Sequence, residues 1–132
     1  MKNKWIQLFS GCLLLIFLSC HKDTDCEQTP GINGEWIWEK SVGGFGGWTE
    51  TPASEGVTKK LKIDDFTFEA YVNDSLVFKS AYDLETRIDT FFGTNTYIEF
   101  ETGGEEAILI KENQLELFEM CADCFSHTYK RN

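Results

Sequence analysis

From Gly34 to the C-terminus, apolar and polar positions alternate with a period of two. Successive side chains of an extended chain point to opposite sides, so this pattern predicts strands with one buried face. In GEWIWEK, Trp36 and Trp38 alternate with Glu35, Ile37 and Glu39. TKKLKID sets Leu61 and Ile63 against Lys60 and Lys62, and FTFEAYV puts Phe66, Phe68, Ala70 and Val72 opposite Thr67, Glu69 and Tyr71. Asp64-Asp65 and Asn73-Asp74 mark tight turns. Ser75 to Phe92 contains no glycine, proline or asparagine to break it and reads as one long bent strand, with two strands about a cryptic turn as the alternative. Gly93 to Asn95 and Gly103-Gly104 turn the chain on either side of TYIEFE, EEAILIKE and QLELFEM form a hairpin about Asn113, and FSHTYKR ends the chain.

Eight sequential strands with short connections, and no helical stripe, predict an all-β fold: an eight-stranded antiparallel up-and-down barrel, with a stacked sandwich as the other arrangement. Closure removes the two exposed sheet edges. Trp36, Trp38, Leu61, Ile63, Phe66, Phe68, Phe78, Tyr82, Ile98, Phe100, Leu115, Leu117 and Phe125 are then expected to point inward. Eight strands leave an interior that side chains fill or that holds one small ligand. The candidate ligand-binding residues are Trp36, Trp38, Phe66, Phe68, Phe78, Tyr82 and Phe100 from the wall, with Phe45 and Trp48 from the first loop.

That loop lies within WEKSVGGFGGWTETPASEG, Trp38 to Gly56. Gly43, Gly44, Gly46 and Gly47 lack the spacing of a phosphate cradle, and no helix is expected after them to supply amides to an anion. The first connection of an up-and-down barrel lies at its open end, so the loop reads as a lid, with Phe45 or Trp48 folding into the mouth. A plain surface loop is the alternative.

The chain starts Met1-Lys2-Asn3-Lys4, and Trp5 to Leu18 is almost uncharged. This is the form of a secretion signal. It is too short to cross ~30 Å of hydrocarbon, which takes about 20 helical residues. Ile16-Phe17-Leu18-Ser19-Cys20 resembles the lipobox of bacterial lipoproteins. The resemblance implies cleavage before Cys20 and acylation of that residue, palmitate being a typical chain, and two or more acyl chains anchor stably. The expected domains are a signal peptide (1–19), a lipidated cysteine with a flexible tether (20–32) and the barrel (33–132). Lys22-Asp23 resembles a short signal that sends some lipoproteins of Bacteroidota to the outer face of the cell. The expected location is thus the outer membrane of the cell envelope, with possible surface exposure.

The net charge is -10, and loss of residues 1–19 removes Lys2 and Lys4 and no acid, giving -12. Such a surface repels phosphate backbones, so nucleic acid is not expected as a partner. The expected partners are the membrane, through the anchor, and a small apolar ligand, with the domain as a monomer.

INGEWIWEKSVGGFGGWTETPASEG, LKIDDFTFEAYVND and CADCFSHTYKR together resemble the small lipocalin-like lipoproteins of Bacteroidota. Gly34-Glu35-Trp36 has the Gly-x-Trp form of the first lipocalin strand, and the resemblance implies an arginine from the last strand, here Arg131, packed across that tryptophan. An eight-strand count also brings Trp36 and Arg131 together at the closed base. Gly34, Trp36 and Arg131 are therefore the expected structural residues.

Cys26, Cys121 and Cys124 are left for the exported domain, where disulfides are permitted. Loop entropy favours Cys26 to Cys121, at about 4.7 kcal/mol against about 2 kcal/mol for Cys121 to Cys124. The topology favours Cys121 to Cys124, because it puts them at the mouth and Cys26 below the base. Cys121, Cys124 and His127 also have zinc-like spacing, but export favours oxidised thiols, so neither metal nor cofactor is expected. Glu99, Glu101, Glu116 and Glu119 read as solvated outward positions. With no triad or acid pair evident, the expectation is a protein that is not an enzyme. A cleft bringing His127 within hydrogen-bond reach of a carboxylate or thiol would revive an enzymatic reading. The expected function is binding or carriage of a small apolar ligand inside the barrel; the alternative is an interaction module that recognises protein or glycan through its loops.

Overall fold

The computed structural model describes residues 31–132. The signal segment, Cys20, Cys26 and the tether as far as residue 30 lie outside the described residues. The elements are β1 (Gly34–Gly43), β2 (Trp48–Glu50), α1 (Pro52–Glu55), β3 (Lys59–Ile63), β4 (Thr67–Val72), β5 (Ser75–Phe91), β6 (Thr94–Phe100), β7 (Glu105–Lys111), β8 (Gln114–Glu119) and β9 (Phe125–Arg131). Every neighbouring pair is antiparallel. The sheet runs β1-β3-β4-β5-β6-β7-β8-β9 and β9 returns to pair with β1. Eight strands therefore close into the up-and-down, lipocalin-like barrel that the alternation predicts, and β2 pairs only with the end of β1.

The N-terminal end of β1 marks the base. Trp36 is fully buried there, with the Arg131 guanidinium 4.1 Å from its ring centroid. Such stacking contributes ~1 kcal/mol or more when partly desolvated. Arg131 also donates from Nη1 to the Asn33 carbonyl (2.7 Å) and from Nη2 to the Gly31 carbonyl (2.8 Å), while the Trp36 indole N–H donates to the Ile32 carbonyl (2.8 Å). Ile32 is itself buried, so the strap of residues 31–33 is tied across the end of the lumen. Gly34 is required twice over: its φ is +141°, and a Cβ there would lie 2.7 Å from Arg131 Nη1.

Three placements differ from expectation. Phe66 is 77% exposed, because it belongs to the β3–β4 turn: Asp64 Oδ1 accepts the Phe66 and Thr67 amides and the strand begins only at Thr67. The glycine loop is not folded into the mouth. It forms a β1–β2 hairpin with Phe45 96% and Trp48 71% exposed. A helical turn, α1, then follows where none was expected, capped by reciprocal Thr51 and Ser54 hydrogen bonds.

β5 is one strand of 17 residues. Its register against β6 jumps between Thr86 and Phe91, and its end covers a second apolar cluster on the outer face of β6–β8. Tyr97, Ala107 and Phe118 are buried there, Phe92 stacks on Phe118 at 5.0 Å, and Arg87 lies 4.3 Å over the Tyr97 ring. Arg87 also pairs with Glu85, Glu99 and Glu105 at 2.7, 2.7 and 2.6 Å, drawing β5, β6 and β7 together.

Candidate site at the mouth of the lumen

Above the base the lumen opens into a cavity of about 350 Å³, and a second cavity of about 410 Å³ lies beside the strap, lined by Gly31, Ile32, Leu84, Thr94, Ile108 and Ile110. One wall is aromatic. Phe68, Phe78 and Phe100 meet edge to face, with centroids 5.1 Å (Phe68–Phe100), 5.2 Å (Phe78–Phe100) and 6.2 Å (Phe68–Phe78) apart. This is the geometry that aromatic quadrupoles favour. Leu61, Ala70, Leu117 and Tyr129 complete the apolar lining, and Gly103 and Gly104 of the β6–β7 turn, with Glu105 at the start of β7, form the rim.

The other wall is polar. A one-residue bulge separates the pairs Trp38–Tyr129 and Lys40–Thr128, so the inward parity of β1 shifts and Ser41 enters the lumen opposite His127. The Trp38 indole N–H donates to Ser41 Oγ (2.9 Å), Ser41 Oγ lies 2.7 Å from His127 Nδ1, and His127 Nε2 lies 3.1 Å from Glu119 Oε1. The carboxylate assigns the proton to Nε2, and the serine hydroxyl then donates to Nδ1, giving a chain in which each donor has its acceptor. Burial pushes the Glu119 carboxyl up, but the bonds from His127 and from the Phe125 amide (3.1 Å to Oε2) hold it below the usual carboxylate range. Glu119 thus faces inward, contrary to expectation. It stands three residues from the outward Glu116, and positions an odd number apart on one strand occupy opposite faces.

Glu106 is the register partner of Glu119 on the adjacent strand. Its Oε2 is buried and has no hydrogen-bond partner among the described residues. Burial first, and then the Glu119 charge, push its carboxyl up to about 7. The same two effects, burial ahead of the Glu106 and Glu119 charges, raise the Tyr129 phenol. Lys59 is the cation of this end, but it is engaged: its Nζ lies 4.1 Å from the Trp38 ring centroid and 3.9 Å from Glu50.

The structure thus gathers Phe68, Phe78 and Phe100 at one chamber. Tyr82 packs against the core at its edge, donating its hydroxyl to the Asp64 carbonyl (2.7 Å). Trp36 and Trp38 lie deeper in the core, and Phe45, Trp48 and Phe66 lie outside it. Cys121 and Cys124 are joined in a disulfide, with Cα atoms 5.2 Å apart, in the β8–β9 loop at the rim. Ser41, Glu106, Glu119 and Lys59 were missed as lumen residues. Parity marks three of them: Glu106 is in phase with Ile108, Glu119 with Leu117 and Lys59 with Leu61. Ser41 has no such signal, because the bulge that turns it inward leaves no mark in the alternation.

Comparison with protein-family models, curated proteins and solved structures found no match.

Proposed function

We propose that this chain is a lipid-anchored protein of the cell envelope, held to the outer membrane through Cys20, whose barrel binds or carries a small, largely apolar molecule in the mouth-side chamber without catalysing its reaction. The observation that carries this reading is the aromatic-walled cavity of about 350 Å³, a volume in the ~300–1,000 Å³ range of small-molecule sites. Burial of ligand surface there contributes ~25 cal/mol per Å², offset by lost motional freedom. The lipobox-like N-terminus and the resemblance to lipocalin-like lipoproteins support the anchor and the carrier role.

His127 does share the lumen with a carboxylate at hydrogen-bond distance, the arrangement that would favour an enzyme. Ser41 is a poor nucleophile, however. It is wholly buried, and its oxygen already accepts the Trp38 N–H, so a substrate has no approach to it. The Ser41–His127–Glu119 chain reads as a device that satisfies buried polar groups.

The test is titration of the full chain with the neutral fluorescent probe N-phenylnaphthylamine. Saturable binding at one probe per chain is expected, abolished by Ala70→Trp, which fills the chamber, and kept by Trp48→Ala. Binding unaffected by Ala70→Trp would contradict the reading. The exposed Phe45 and Trp48 favour a second reading, an interaction module for protein or glycan. That reading expects the chain to be retarded in native gels containing envelope polysaccharide, and Trp48→Ala to lose the retardation.

A further inference from the structure

Resting on the chamber reading above, we infer that the ligand carries a basic nitrogen, a protonated primary or secondary amine, which pairs with the Glu106 carboxylate while its apolar body lies against Phe68, Phe78 and Phe100.

Three observations converge on this chemistry. Glu106 Oε2 is the buried acceptor left without a donor among the described residues, and it borders the cavity. A buried, unpaired acceptor costs about 1–3 kcal/mol, and more when charged, so a ligand that brings a donor recovers energy that a purely apolar ligand leaves unrecovered. Apart from the Tyr129 hydroxyl, which also lines the cavity, the neighbouring polar side chains are already committed. Ser41, His127 and Glu119 are joined end to end, Glu119 Oε2 accepts the Phe125 amide, and Lys59 is held by Trp38 and Glu50.

The sign of the missing partner follows from the field. Glu106 and Glu119 are opposite one another on adjacent strands, while Glu105 at the rim is already paired with Arg87. Such a wall repels a carboxylate or phosphate head and attracts a cation. A metal ion fits less well, because among the described residues no three His, Cys, Asp or Glu side chains converge on a point. A protonated amine has two or three N–H donors, of which one pairs with the Glu106 carboxylate while the others face the open mouth and the apolar body lies against the three phenyl rings.

The pairing also sets a pH dependence. The groups facing Glu106 are Glu119 on β8 and His127 and Tyr129 on β9, with Lys59 on the far side of the mouth. Glu106 takes up its charge near neutrality, about 7, because of burial and the Glu119 charge. An amine is cationic throughout this range, so its affinity rises as the pH passes upward through that value.

The experiment is calorimetric titration of the full chain with phenethylamine, phenethyl alcohol and phenylacetate, which share one apolar body. At about pH 8 the amine is expected to bind at least ~10-fold more tightly than the alcohol, the ratio that one charge-assisted hydrogen bond supports, with phenylacetate weakest. The ratio is expected to shrink at about pH 6. Glu106→Gln should remove the amine's advantage over the alcohol, with circular dichroism verifying the fold. Equal binding of amine and alcohol, or an advantage that survives Glu106→Gln, overturns the amine assignment and leaves the chamber standing. If none of the three compounds and no N-phenylnaphthylamine binds, the chamber reading fails and this inference with it.

Discussion

At the base of the lumen Trp36, Ile32 and Arg131 leave no buried side-chain polar atom without a partner among the described residues: the indole N–H and two guanidinium N–H groups donate to carbonyls of the strap, and the guanidinium lies over the indole. At the mouth, a few residues further along the same strands, one carboxylate oxygen is buried without a partner among the described residues, beside an open space. Both ends belong to one barrel and obey one alternation, so the strand pattern does not distinguish them. The difference lies in what happens to buried polarity. Where every donor meets an acceptor, the region serves stability; where one acceptor is left over at a cavity, the region is suited to recognition.

The strongest way to break this comparison is at the base. Trp36→Ala removes a fully buried indole and leaves Arg131 stacked on nothing, and is expected to cost about 3–5 kcal/mol of folding stability in urea denaturation. A similar loss from Phe78→Ala at the mouth would erase the distinction. Glu106→Gln is expected to act in the opposite sense. The ordinary carboxyl value of 4.5 is raised in the folded protein to about 7, so the native state holds the extra proton between these values. Stability from this group is full below the ordinary value and is lost as the pH rises through about 7, by roughly 3 kcal/mol at most. The variant should therefore match the wild type at about pH 4 and exceed it at about pH 8, as read from denaturation midpoints across pH.

Ser41→Ala sharpens the contrast from within the mouth. It strands the Trp38 N–H and the His127 Nδ1, and is expected to cost about 1–3 kcal/mol, although the residue removed is only a small hydroxyl. The smallest effect is expected from Cys121→Ser. The closed loop is short, so the chain-entropy contribution is about 2 kcal/mol at most, seen as a modest fall in Tm with the probe still bound.

Much of the frame was legible before any coordinates. Alternation located the strands, the long unbroken run located β5, and the eight-strand count brought Trp36 to Arg131 across the closing seam. The site was harder, for three physical reasons. Phe66 follows the inward parity of its strand, but Asp64 recruits its amide into a turn, and a turn residue has no inward side. Phe45 and Trp48 are apolar and were expected to seek the lumen, yet antiparallel pairing of β1 with β2 holds the hairpin tip out in solvent. Glu119 is charged and so reads as solvated, although it stands in step with Leu117, and Glu106 likewise stands in step with Ile108. Tyr97, Ala107 and Phe118 are buried on the outward phase, because the end of β5 folds back over them. A period-two reading has no term for a strand that covers its own sheet.

The central claim is that a guest is received at the mouth of this barrel and not at the base that the strap crosses. The most direct measurement is a set of isotope-filtered NOEs between bound N-phenylnaphthylamine and the labelled protein. The account predicts contacts to Phe78, Phe100, the Ala70 methyl and the Leu117 methyls, and none to Ile32 or Ile63. Contacts to Ile32 and Ile63, or only to Phe45 and Trp48, would contradict it.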